Sequence, residues 1–306
     1  MENEARTHTL ADLRAWSRPG VDLAVLGHPI KHSLSPAMHN AALNVLAARE
    51  PGFHAWRYHR FDIAPDDLPE ALALLHAKKF RGINLTVPHK ILALASPLVT
   101  AIDPAARPVG AVNTLRWHPD GWEGFNTDGH GMAAGLRQDL GIELTDTPVI
   151  LLGAGGAARG AAVACLAGGV SSLWIGNRSL QNLHALLSLL GPLAGEIPVH
   201  GFEPARPPSE LPPASLVINA TSAGLHREDP LPIDLDLLPA PRAVYDMIYN
   251  PAETALLARA RSLGLPAANG LSMLVHQGGS ALALWTGASV PIDAMQAAAT
   301  AALVGR

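Results

Sequence analysis

Short apolar runs alternate along the chain with stretches whose apolar residues recur at three- and four-residue spacing, a strand-then-helix rhythm that holds almost end to end. "DLAVLG" (22–27) predicts a strand, and the segment from Pro36 to about Ala48 a helix. "HAWRYHRFDI" predicts a second strand. "PDDLPEALALLHAKK" predicts a helix, with its acids early and its lysines late as the helix dipole favours. "RGINLTV" reads as a third strand with a short helix behind it, and "VGAVNTLRW" and "WEGFN" as a hairpin turning at Asp120-Gly121. A helix over 128–140 follows. Strand "PVILLG", a glycine-rich turn, a helix over 156–168 and strand "SLWIGN" then make a βαβ unit. "SLVINA" and "AVYDMIY" are further strands, the proline-rich 203–215 is a surface connection, and the tail forms two helices. The pattern argues an α/β fold with largely parallel sheets.

Composition narrows the picture. A chain of 306 residues has room for two domains, and 48% hydrophobic with 16% charged residues is ordinary for a globular protein. A net charge of −4 without any block of lysines and arginines disfavours nucleic-acid and membrane partners. Cys165 is the only cysteine, which excludes an internal disulfide and suits a reducing cytoplasm. The most membrane-like stretch, 148–170, carries Arg159 mid-run and recurrent glycines, so it reads as buried strand plus helix. A soluble, cytoplasmic protein is expected.

The first chemical motif is "VILLGAGGAARGAAV", where Gly153, Gly155 and Ala158 fall in a G-x-G-x-x-A pattern between a strand and a helix. Glycines there permit a tight turn and close approach of backbone to a pyrophosphate, and the helix start offers N–H donors. At the end of the next strand, where an NAD site usually has an acid for the ribose 2′-OH, the chain has Asn177-Arg178-Ser179. An arginine with neighbouring amide and hydroxyl suits a 2′-phosphate, so NADP is favoured.

A second cluster, "GHPIKHSLSPAMHN" (27–40), crowds three histidines and two serines behind the first strand. Ser35 before Pro36 reads as N-cap and first helical residue, which leaves Ser33 unexplained. Hydroxyls and N–H groups at a helix start make a neutral cradle for a carboxylate. A metal site is disfavoured, because no acid or cysteine is near; so is a serine nucleophile, because no G-x-S-x-G elbow appears. In "GINLTVPHK", Asn84 and Thr86 would project from one face of a strand. Lys90 falls in the first helical turn, where a cation opposes the dipole and so asks for another reason. "GAVNTL" and "GFNTDGHG" add Asn113, expected at a strand end, and Asp128 at a helix start. All lie where open α/β sheets bind ligands.

Taken with "NATSAG", "YDMIYNPAETALL" and "NGLSMLVHQG", these stretches resemble the shikimate dehydrogenase family over nearly the whole chain. The resemblance implies reversible NADPH-dependent reduction of 3-dehydroshikimate to shikimate, in chorismate and aromatic amino-acid biosynthesis. It implies two α/β domains with a cleft between them: a discontinuous substrate domain, 1–128 plus 271–306, and a Rossmann-type NADP domain, 129–270. Lys90 and Asp128 would be the catalytic pair. Ser33 and Ser35 would hold the substrate carboxylate with Tyr249 nearby; Thr86, Asn113 and Gln277 would meet ring hydroxyls, and Asn84 would shape the pocket. Gly153, Ala154, Gly155, Gly156 and Ala157 would cradle the pyrophosphate, Asn177, Arg178 and Ser179 would meet the adenosine end, and Met247 and Gly270 would line the nicotinamide. No metal is implied, and the chain would be a monomer or homodimer. One departure stands out: NADP-specific members often carry a second basic residue where this chain has Asn182. A quinate/shikimate dehydrogenase with relaxed NAD and NADP use, or a non-catalytic NADP-binding sensor, remain the alternative readings.

Overall fold

The computed structural model describes residues 6–304 and divides the chain into two compact units. One holds the chain up to Thr127 and again from Gln277; the other is Asp128–His276. The second crossing therefore falls inside a helix rather than ahead of it at 271.

The first unit opens with α1 (Leu10–Arg14), β1 (Val21–Gly27), α2 (Ser35–Arg49), β2 (Trp56–Asp62) and α3 (Leu68–Ala77). It continues with β3 (Gly82–Leu85), α4 (His89–Leu92), β4 (Val99–Ile102), β5 (Thr114–His118) and β6 (Gly121–Phe125). Its six-stranded sheet has the order β2-β1-β3-β5-β6-β4. β1 runs parallel to β2 and β3, whereas β5 is antiparallel to both β3 and β6. Ala24 and Leu26 of β1, with Phe61 and Ile83, pack against Leu10, Leu13, Leu68 and Leu72 of α1 and α3.

The second unit contains α5 (Asp128–Leu140), β7 (Pro148–Leu152), α6 (Gly156–Ala167), β8 (Ser172–Gly176), α7 (Leu180–Leu190), β9 (Val199–Phe202) and β10 (Leu216–Asn219). β11 (Ala243–Asp246), α8 (Ala255–Ser262) and β12 (Ala267–Asn269) follow. Its six strands, β12-β11-β10-β7-β8-β9, are all parallel. β7 shows why its sequence is continuously apolar: Val149 and Leu151 enter the core beneath α5, α6 and α7, while Ile150 and Leu152 enter the core beneath α8. The stretch 148–170 is thus β7 followed by α6. α9 (Leu271–Thr286) and α10 (Ile292–Val304) end the chain, α10 lying along α2 in the first unit.

Several expected boundaries move. α2 begins at Ser35 because Leu34 already has helical angles (φ −86°, ψ −9°), so Leu34 holds the N-cap position and Ser35 is the first helical residue. β3 stops at Leu85, one residue short of Thr86, as Pro88 approaches without an N–H to continue a ladder. Asn113 precedes β5 instead of ending a strand, and Gly121 (φ +142°) already begins β6. β11 ends at Asp246, which leaves Met247 and Tyr249 in the following loop.

Candidate active site

In the first unit, the expected substrate residues gather at the carboxyl ends of β1 and β3. Gly27 closes β1, and a Cβ there would sit 2.5 Å from Thr86 Cγ2 and 2.7 Å from Ile30 Cδ1. Only glycine lets the loop before α2 fold this tightly over the end of β3. The Ser33 hydroxyl accepts the Ser35 N–H at 3.3 Å, filling the role that Ser35 was expected to play and leaving the Ser35 side chain to other partners. The buried Arg60 guanidinium donates to the Ser33 carbonyl at 3.2 Å and holds the loop from behind.

The three histidines of the opening motif diverge. His28 pairs with Asp62 at 2.6 Å, and His32 is exposed. His39 is fully buried and stacked on the Tyr58 ring at 4.0 Å, and burial lowers its pKa to about 3. Among the described residues no group of three or more His, Cys, Asp or Glu side chains could hold a metal ion.

Three of the expected residues, Asn84, Asn113 and Gln277, join one buried network. The Tyr58 hydroxyl donates to Asn84 Oδ1 at 2.7 Å. Burial pushes the Tyr58 phenol well above its ordinary pKa, with the Ser35 side chain pulling the other way, so the group remains an O–H donor. Asn84 Nδ2 donates to the Asn113 carbonyl (3.2 Å) and to Thr114 Oγ1 (3.0 Å). Asn113 Nδ2 donates in turn to Thr127 Oγ1 (3.0 Å) and Gln277 Oε1 (3.4 Å), while its Oδ1 accepts from the Thr127 N–H and the Thr114 hydroxyl. Tyr58, Thr114 and Thr127 were missed in sequence. The alternation of "WRYHRFD" in β2 marks Tyr58 as an inward position but not as a polar one. Thr86 and Lys90 are half-buried at the rim, and the Lys90 carbonyl accepts the Val112 N–H at 2.9 Å, tying α4 to the segment that carries Asn113.

In the second unit, Gly153 leaves β7 with φ +115°, and its N–H donates to the Gly176 carbonyl of β8. Gly155 holds the N-cap position of α6 with no side-chain cap, so the first N–H groups of that helix keep their donors. A Cβ on Gly155 would meet nothing within 4 Å, which leaves open approach over backbone donors at a helix start. Ala154, Gly156 and Ala157 complete the turn, and Ala158 is buried beneath it. Past β8, Arg178 is exposed and makes no ion pair among the described residues, while Asn177 Nδ2 donates to the Ser179 carbonyl at 2.8 Å. Ser179 caps α7 by accepting the Asn182 N–H. No carboxylate stands in "NRS" to repel a phosphate. The donor set fits a 2′-phosphorylated dinucleotide.

Met247 and Gly270 meet: a Cβ on Gly270 would lie 2.2 Å from the Met247 carbonyl oxygen. Behind them Asp246 is buried, accepting from Asn219 Nδ2 and the Ile248 N–H at 3.0 Å each and from the Thr254 hydroxyl at 2.7 Å. Burial raises its pKa against the pull of these bonds. This triangle of Asn219, Asp246 and Thr254 braces both loops that follow β10 and β11, and none of its members was singled out in sequence. Asp128, the first residue of α5, is buried, and Tyr249 is half-buried in the loop after β11.

Residues 25–115 match the shikimate dehydrogenase substrate binding domain, and 270–300 the shikimate 5′-dehydrogenase C-terminal domain. The chain is 43% identical over 300 residues to shikimate dehydrogenase (NADP(+)) of Symbiobacterium thermophilum, covering 96% of this chain and 98% of that one. It belongs to the shikimate dehydrogenase family. Its relative from Moorella thermoacetica, shikimate dehydrogenase (NADP(+)), is 41% identical over 275 residues, covering 89% of this chain and 90% of that protein. A crystal structure of the Thermus thermophilus shikimate 5-dehydrogenase in complex with NADP(H) and shikimate superposes with a TM-score of 0.79 at 36% identity, over 92% of this chain and all of that one. As in that family, an α/β substrate unit accompanies a parallel-sheet nucleotide unit, and among the described residues no helix is long and apolar enough to cross a membrane.

Proposed function

We propose that this chain is an oxidoreductase that reduces 3-dehydroshikimate to shikimate with NADPH, reversibly, in the formation of chorismate and the aromatic amino acids. The observation that carries the reading is the uncharged hydroxyl-and-amide network from Tyr58 through Asn84 and Asn113 to Gln277, in a chain of this family. Such a surface suits a small carboxylated polyol: hydroxyls and helix N–H groups take a carboxylate, and side-chain amides take ring hydroxyls.

Ser33 and Ser35 hold the carboxylate; Thr86, Asn113 and Gln277 orient the ring hydroxyls, Asn84 shapes the wall, and Tyr249 is a further substrate-binding residue. The turn 153–157, Asn177 to Ser179, and Met247 with Gly270 would hold the pyrophosphate, the phosphorylated adenosine end and the nicotinamide. When bound, the cofactor supplies the hydride. Reduction builds negative charge on the ketone oxygen, where Lys90 stabilises it and delivers a proton; Asp128 is the second member of the proton-transferring pair. In the oxidative direction the same pair takes the hydroxyl proton. The protein works in the cytoplasm as a monomer or homodimer.

Lys90→Ala tests the proton assignment. Its kcat is expected to fall by ~10²–10⁴, with NADPH binding, followed by nicotinamide fluorescence, unchanged. A kcat within twofold of the parent would remove Lys90 from the chemistry.

A further inference from the structure

We propose that Tyr58 is a positioning residue for the substrate site, acting through Asn84; the inference rests on the functional reading above. Hydrogen-bonding capacity decides the point. A side-chain amide has two N–H donors and two lone pairs. Both Asn84 donors are spent, on the Asn113 carbonyl and on Thr114 Oγ1, and the Tyr58 hydroxyl takes one lone pair on Oδ1 at 2.7 Å. One lone pair is left. A ligand hydroxyl that meets Asn84 must therefore donate to it, and a carbonyl or ether oxygen finds no donor there.

What holds the amide in that sense is Tyr58. Without its hydroxyl, Oδ1 would have two lone pairs to offer and the amide would be fixed by its nitrogen alone. Tyr58 is itself held on two sides. Asn40 on α2 bonds both ways to its backbone: the Asn40 amide donates to the Tyr58 carbonyl at 3.0 Å, and the Tyr58 N–H donates to Asn40 Oδ1 at 2.9 Å. His39, the preceding residue on α2, lies flat on its ring, with an interplanar angle of 1°. The helix that carries the carboxylate cradle is thereby registered on β2, and the Tyr58 hydroxyl passes that register to Asn84 on β3. The two ends of the substrate are read from one rigid frame.

The test is a double-mutant cycle on the full-length enzyme. Tyr58→Phe keeps the stacked ring and removes the hydroxyl; it is expected to raise KM for shikimate by roughly 2- to 10-fold while KM for NADP stays put. On an Asn84→Ala background the same change is expected to have no further effect on KM, since Tyr58 has no amide left to orient. Thr114→Val, which removes an acceptor at the other end of the amide, gives a second cycle in case the first variant does not fold, and its effect should likewise shrink on the N84A background. Effects that multiply across both pairs, or that fall equally on the KM of NADP, would make Tyr58 a structural residue and overturn the proposal. A parent enzyme that does not turn over shikimate would overturn the functional reading, and this inference with it, a result distinct from independent effects in an active enzyme.

Discussion

Ser33 has two tasks in this account, and they can be separated. Its hydroxyl accepts the Ser35 N–H, and the proposed function gives it the substrate carboxylate as well. Ser33→Ala should lower the unfolding free energy by up to about 1 kcal/mol, the scale of a lost helix-start bond. It should raise KM for shikimate by ~10-fold or more, the scale of a hydrogen bond to a charged group, with KM for NADP unchanged in initial-rate assays. Equal increases in both would move the carboxylate elsewhere. Arg178 gives the matching test in the nucleotide unit. It is exposed and makes no ion pair among the described residues, so replacing it costs little stability. Arg178→Gln should raise KM for NADP by ~10- to 100-fold and leave NAD nearly untouched, as expected for a side chain that meets only the 2′-phosphate. The Asn182 side chain adds no charge there, so the proposed preference for NADP rests on Arg178.

At the scale of elements, the glycines that follow β7 and β12 are the sharpest demands. Gly153 has φ +115° with the Ala220 carbonyl oxygen 3.0 Å from where a Cβ would sit. Gly153→Ala should destabilise the protein by about 1–3 kcal/mol in urea unfolding and weaken NADP binding with it. A variant with unchanged stability would mean that the turn relaxes freely. Long, strongly patterned elements were legible in sequence: β1, β7, α5 and α6 declare themselves by runs and spacing, and the glycine turn by its place between strand and helix. Short edge strands were not. β4, β9 and β12 are strands of 3 to 4 residues at sheet edges, without the continuous apolar run that marks the equally short inner strands. The candidate site divides along the same line. Residues within local motifs, such as Ser33, Asn84 and Arg178, stand out, and the resemblance adds roles. Tyr58, Thr114, Thr127, Asp246 and Thr254 do not, because what distinguishes them is a partner distant in sequence.

For the whole molecule, acid should act first on the unit built around β1. Burial lowers the pKa of His39 to about 3 and of His8 to about 4, from an ordinary value of 6.5. Both are neutral in the folded chain, whereas below about pH 6.5 the unfolded chain takes up protons that the folded chain refuses. Stability is therefore complete above that pH and declines as pH falls toward the folded values, by up to about 1.4 kcal/mol per pH unit for each histidine. The raised Asp246 in the other unit acts in the opposite sense, since its folded form holds a proton more firmly than the unfolded chain does. His39→Phe keeps a ring on Tyr58 and should flatten the decline between pH 6 and 4.5 in urea unfolding by about one proton's worth; an unaltered slope would rule His39 out as its source. The central claim, that the two units together make an NADP-dependent shikimate dehydrogenase, is tested most directly by initial rates of nicotinamide reduction with shikimate or quinate against NADP or NAD. The account predicts a rate dominated by shikimate with NADP. Comparable rates with quinate or NAD would contradict the specificity assigned to Arg178 and the amide network, and no rate in any combination, with NADP still bound, would contradict catalysis itself.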